Sequence, residues 1–290
     1  MRAFRIAYDG TGYYGFQRQP DVPTVEDAIF DALRDLDVLA SADDPEGRGD
    51  KPEGYAAAGR TDAGVSALAQ TIAFEAPDWL TPRALDSRLS PDVRAWAAAD
   101  APADFHATHH ASRRTYAYHL HAPPSDGSDE PVPVDGAVDR PVDDDRVRAA
   151  LEALSGPHDF HNLTPDDRNT ERSPTLEATR DGDYLVVTVS AGGFPRELVR
   201  RLVSLARGVG AGEEPLGKVD RVLSPEPLPG HEGVAPAPPE PLVLTRVEYP
   251  GLEFSVDADA AASAREAFDR RRLERRTGAR VARQLRDRVR

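Results

Sequence analysis

The order strand, helix, strand, strand, helix, strand is written twice along this chain, and no other feature limits its fold so much. In the first copy Phe4, Ile6 and Tyr8 alternate with Arg5 and Ala7 as a strand does. Thr24-Val25-Glu26-Asp27 resembles a capping box, and Val25, Ile29, Leu33 and Leu36 fall on one helical face. A strand is expected at 54–59, a short return strand at 71–74, a helix opened by Thr81-Pro82 and carrying Leu85 and Leu89, and a strand from Val93 to Ala98. Residues 40–53 form an acidic loop without core signal. In the second copy Tyr116, Tyr118 and Leu120 alternate within 113–122. Asp143 or Asp144 caps a helix with Val147, Ala150, Leu151 and Leu154 on one face. Residues 175–191 read as a hairpin turning at Asp181-Gly182-Asp183. Leu198, Leu202, Leu205 and Val209 mark a further helix, and 242–249 is the last strand. Both copies have the split βαβ, or ferredoxin-like, order, so the expected fold is α+β: two halves related by pseudo-twofold symmetry, their sheets joined with a cleft between them. The expected divisions are 1–104, 105–250 and a helical tail at 251–290, interrupted at Gly278.

The first copy contains the stretch YAAAGRTDAGVSALAQ at 55–70. An apolar run feeding a loop between Gly59 and Gly64 is how a strand end presents side chains at a surface. Arg60 and Asp62 stand at its centre. A neighbouring arginine keeps a carboxylate ionised, so Asp62 can serve as nucleophile or base; alternatively it only caps the turn.

Charge narrows the setting. There are 50 acidic against 36 basic residues, a net of −14, and Lys51 and Lys218 are the only lysines. An acidic, lysine-poor surface suits a protein kept hydrated in concentrated salt, which points to a halophilic source, although arginine in place of lysine also follows from a GC-rich genome. The tail inverts this balance, with eleven arginines and four acids in 265–290. No cysteine is present, which excludes disulfides and thiol chemistry. MRAFRIAYDG lacks the apolar core of a signal peptide and no run reaches spanning length, so a cytoplasmic protein without membrane contact is expected.

GRTDAGV resembles the signature loop of the tRNA pseudouridine synthase A family, and further motifs follow in that family's order. YDGTGYYGFQRQ is similar to its aromatic loop, with Phe16 where tryptophan is usual. DFHATHHASRRTYAY, GPHDFHN, GGFPRELVRRLV and APAPPEPLVLTRVEY match later segments. The departures are Ser66 for histidine, Thr108 for arginine, Pro241 for glycine and Glu26 for glutamine. The resemblance implies that uridine is isomerised to pseudouridine, at positions 38 to 40 of the tRNA anticodon arm, by a homodimer that needs no cofactor and no metal. It implies Asp62 as the catalytic carboxylate, attacking uracil C6 or ribose C1′. It further implies Arg60 on the RNA backbone during base flipping, Tyr116 against the extruded uracil, Arg200 paired with Asp62, and Gln17 on the substrate. By pattern alone Tyr116 belongs to a packed face with Tyr118 and Leu120, and Arg200 to a solvated helix face.

Two other readings compete. A non-catalytic RNA-binding protein of split βαβ fold would stack bases on Tyr116 and Tyr118, but leaves Asp62 repelling phosphates to no purpose. A metal enzyme would draw on His106, His109, His110, His119 and His121, yet no carboxylate follows at ligand spacing.

Overall fold

The computed structural model describes residues 1–41, 50–123, 132–134, 137–139 and 141–289, so the acidic loop expected at 40–53 lies partly outside the described residues. The fold is α+β, in two compact units. The first takes in residues 1–60, 67–110 and 251–290, the second 61–66 and 111–250.

The first unit begins with β1 (Arg2–Tyr8), whose Phe4 and Ile6 are fully buried. Helix α1 (Val25–Asp35) starts where Thr24 Oγ1 accepts from the Asp27 amide. Its Ile29 and Leu33 are inaccessible to solvent, each burial contributing about 1.5–3 kcal/mol. β2 is only Ala56–Ala57, shorter than the strand expected at 54–59, although Ala58 still donates its amide to the Thr71 carbonyl. β3 (Ser66–Phe74) is much longer than the four-residue return strand expected. Its first half buries Ala67 and Ala69, residues too small to announce a strand face. Pro82 opens α2 (Pro82–Asp86), with Leu85 fully buried; Leu89 packs from the turn beyond it. β4 (Val93–Asp100) completes the set. β1 pairs antiparallel with both β3 and β4, and β2 lies outside β3. The order is therefore second, third, first, fourth.

The second unit repeats that order. β5 (Arg113–His121) is followed by two small strands, β6 (Val132–Val134) and β7 (Ala137–Asp139). Helix α3 (Asp144–Leu154) is capped by Asp143, which accepts from the amides of Asp145 and Arg146. A short ladder, β8 (His158–Asp159) with β9 (Glu171–Arg172), precedes the hairpin of β10 (Thr175–Asp181) and β11 (Tyr184–Ala191). Then come α4 (Leu198–Gly210), α5 (Gly217–Val222) and β12 (Leu242–Glu248). β11 pairs with β10 and β5, and β12 with the other side of β5, all antiparallel. α3 packs on α4, where Gly210 lies against Val147 and Val142.

The chain then returns to the first unit. β13 (Ser255–Val256) pairs with β4, and α6 (Ala258–Arg288) lays Ala260, Ala261, Ala264 and Ala267 inward. The interruption expected at Gly278 does not occur: α6 runs unbroken for 31 residues. One glycine costs about 1 kcal/mol against alanine, which the surrounding alanines, arginines and pairs such as Glu266–Arg270 outweigh.

Candidate active site

The loop carrying Asp62 is entered through a firm neck. Ala58 donates its amide to the Thr71 carbonyl at 2.8 Å, and the buried Gln70 donates Nε2 to the Gly59 carbonyl at 2.8 Å. Beyond the neck Thr61–Ser66 belongs to the second unit. The Val65 amide donates to the Asp62 carbonyl at 3.1 Å, and Gly64 has φ +81. A negative φ at Ala63 followed by a positive one at Gly64 is the pattern of a type II turn, whose third position favours glycine. Space favours glycine as well, since a Cβ on Gly64 would lie 3.0 Å from Pro239 Cγ. Asp62 is thus the first residue of a turn fixed at both ends.

Its carboxylate is not spent on that turn. Arg200 Nη1 donates to Asp62 Oδ2 at 3.1 Å, the aspartate side chain remaining 36% exposed and the arginine 13%. Arg200 is in the first turn of α4, and its Nε donates to the Ala237 carbonyl at 2.6 Å. The Ala237 amide in turn donates to the Arg200 carbonyl at 3.1 Å. Held through Nε on Ala237, the guanidinium presents Nη1 to Asp62.

Tyr116 is buried on β5, between Val189 and Leu244 on the adjacent strands, with its ring edge-on to Phe194 at 5.4 Å. Burial pushes its phenol up to about 12, Arg114 opposing the shift and Asp62 adding to it. The hydroxyl therefore keeps its proton throughout the neutral range. Tyr118, next on the same face, is likewise pushed up to about 12 by burial, with Arg200 opposing. The Tyr116 ring is packed with its neighbours, as its strand pattern suggests, and it feels the charge of Asp62.

Gln17 and Arg60 are exposed residues of the first unit. Thr108, in place of the family's arginine, donates its hydroxyl to the Ala57 carbonyl at 2.6 Å, just before the neck. Phe16, in place of tryptophan, is a core residue against Tyr8. Among the described residues no group of three or more His, Asp or Glu side chains is arranged to hold a metal ion.

Two arginines escaped the sequence reading. Arg114 is buried on the Tyr116 face of β5 and donates to the Gly192 carbonyl; burial lowers its pKa. Its position two before Tyr116 was a usable signal. Arg196 binds Asp166 through its amide at 2.9 Å and Nε at 2.5 Å. Its pKa is raised by Asp166 first, with Glu197 and Asp62 also contributing. Nothing in the sequence connects two residues thirty apart.

A carboxylate held by one guanidinium, partly open to solvent and within the field of a protonated phenol, can attack an electron-poor carbon. The family model described as tRNA pseudouridine synthase matches residues 150–250. The tRNA pseudouridine synthase A of Haloarcula marismortui is 57% identical over 287 residues, covering 99% of each chain. The proteins of the same name from Natronomonas pharaonis and Halobacterium salinarum are 56% and 52% identical, each alignment covering 97% of both chains. Among solved structures, the archaeal box H/ACA sRNP Nop10-Cbf5 complex aligns over 70% of this chain and 45% of that one, at 16% identity and a TM-score of 0.30, too low to carry an argument. On identity sustained over nearly the whole length, the chain belongs to the tRNA pseudouridine synthase A family.

Proposed function

We propose that the protein isomerises uridine to pseudouridine in tRNA, with Asp62 as its catalytic carboxylate. The observation that carries this reading is the Asp62–Arg200 pair beside Tyr116, on a turn that spends none of the carboxylate on itself. In the reaction the N1–C1′ bond breaks, the base turns, a C5–C1′ bond forms, and the C5 proton leaves while N1 ends protonated. No electron is gained or lost, so the chemistry calls for no redox cofactor. Asp62 attacks uracil C6 or ribose C1′; Arg200 holds it aimed; Tyr116 lies against the extruded base with a proton to donate. Arg60 meets the RNA backbone as the nucleotide flips, and Gln17 meets the substrate.

In this reading each of the two units is a split βαβ half. The targets are uridines 38 to 40 of the anticodon arm, and the enzyme works as a cytoplasmic homodimer in a salt-rich cell. The halophilic origin of its close relatives and the −14 charge support that setting.

Asp62→Asn tests the reading, since asparagine keeps the size but neither the charge nor the nucleophile. Incubated with a uridine-labelled tRNA transcript, the wild type should yield pseudouridine and the variant none, with tRNA binding and melting temperature retained. A wild type without product removes the synthase, and a variant as fast as wild type removes Asp62 from its role.

A further inference from the structure

Helix α6 changes character along its length. Up to Arg275 it is fastened to its own unit. Arg271 reaches Asp9 Oδ2 at 3.3 Å and also bonds Asp92, and Arg275 Nη2 donates to Asp9 Oδ2 at 2.6 Å. Asp9 is only 7% exposed and also accepts from the Thr11 amide and hydroxyl. Its pKa is lowered because the Thr11 hydrogen bonds and Arg275 outweigh burial, the largest single influence. From 276 to 288 every residue is exposed. That span holds five arginines and one acid, a net of +4, so the rest of the chain carries −18 (−14 less +4).

Arg276, Arg280 and Arg283 recur at intervals of four and three, which puts them on one face. Among the described residues Arg276 and Arg280 have no ion pair, and Arg283 has one long contact, 3.8 Å to Asp287. An exposed cationic face on a strongly acidic protein repays its cost in solubility only when it meets an anion.

We propose that residues 276–288 form an arm that binds the sugar-phosphate backbone of tRNA, fastened to the body by the Arg271 and Arg275 contacts with Asp9. The proposal rests on the tRNA reading above. The guanidinium fork bonds phosphate in two places, a geometry that outlasts point-charge attraction when salt screens the field. A second copy of the chain fits this face less well. The exposed apolar residues of this end of the chain are Leu273, Val281, Leu285 and Val289, and four scattered side chains fall far short of the ~800 Å² per partner of a stable interface.

The experiment measures binding of a fluorescent tRNA transcript to the full chain across a KCl series, with sedimentation run in parallel. Glutamine at 276, 280 and 283 (Arg276→Gln, Arg280→Gln, Arg283→Gln) preserves helix propensity. The triple variant should bind about tenfold more weakly at the lowest salt, and the slope of log affinity against log salt should flatten by about two to three. Val281→Ser with Leu285→Ser should bind tRNA as the wild type does. An unchanged slope and affinity in the triple variant of an active enzyme overturns the arm. So does weaker binding that tracks a change of sedimenting mass, which assigns the face to a second copy. A wild type that forms no pseudouridine fails the underlying tRNA reading instead, and the arm falls with it.

Discussion

Helices α2 and α4 occupy the same place in the strand order of their units, and they are built by opposite means. α2 follows local rules: Thr81 caps it by accepting from the Ala84 amide, and Pro82 stands at its first position. α4 has no side-chain cap, and Glu197, the residue before it, is in the left-handed region at φ 60. Its first turn is set by distant partners instead. Arg201 ties Glu197 and the Val234 carbonyl, and Arg200 exchanges two hydrogen bonds with Ala237. The carboxylates of the two regions differ in the same way. Asp62 has a guanidinium and solvent, whereas Asp86, the last residue of α2, is 8% exposed, with Oδ1 accepting from the Ala95 amide and no hydrogen bond to Oδ2. A helix that only packs can be assembled from its own sequence, while one that must aim a charge gives up its cap to tertiary contacts.

The largest test of that contrast is Arg200→Gln. It leaves Asp62 without its cation and the α4 turn without an anchor, and pseudouridine formation should fall about a hundredfold or more, roughly 3 kcal/mol. A rate within about threefold of wild type would make the pair incidental.

Asp86 predicts a smaller effect on stability. Burial pushes its carboxyl up to about 7, with Asp257 adding and the Ala95 amide and Arg94 opposing. A pKa raised on folding gives stability that is complete below the unfolded value near 3.8 and is lost as pH rises through about 7. The full shift corresponds to about 4 kcal/mol. Asp86→Asn should recover about half of this at pH 8, because the new amide keeps a polar atom buried. Melts across pH 5 to 8 should be flatter for the variant than for the wild type, and parallel curves would refute the assignment.

The smallest effects compare the two helix starts directly. Thr81→Ala should cost about 1 kcal/mol by urea unfolding. Glu197→Gly should change stability by only a few tenths, since relief of the left-handed strain offsets the lost Arg201 pair. Equal losses at both positions would erase the distinction.

The same division explains what could be read from the sequence. β5, the β10–β11 hairpin and the apolar faces of α1, α3 and α4 are legible because period and turn residues act locally. The start of β3 is not, since alanines at 67 and 69 leave almost no pattern. Nor is the passage of α6 through Gly278, where summed propensity outweighs one unfavourable residue. At the site, Asp62, Arg200 and Tyr116 stand out through motif resemblance, and their distances come from the folded chain. Arg196 with Asp166, and Arg271 with Asp9, are partners that only the tertiary structure brings together.

The return of β13 and α6 to the first unit also has a meaning in time. β4 emerges from the ribosome some 150 residues before the strand that pairs with its outer edge. At about 5–20 residues per second, that edge waits roughly 8–30 s, while nearly all of the second unit is synthesised. Throughout the delay β4 offers unpaired amides and carbonyls to any extended chain nearby. Residues 251–290 therefore close the first unit late, and Asp9 waits for its two arginines until roughly 260 further residues have been made.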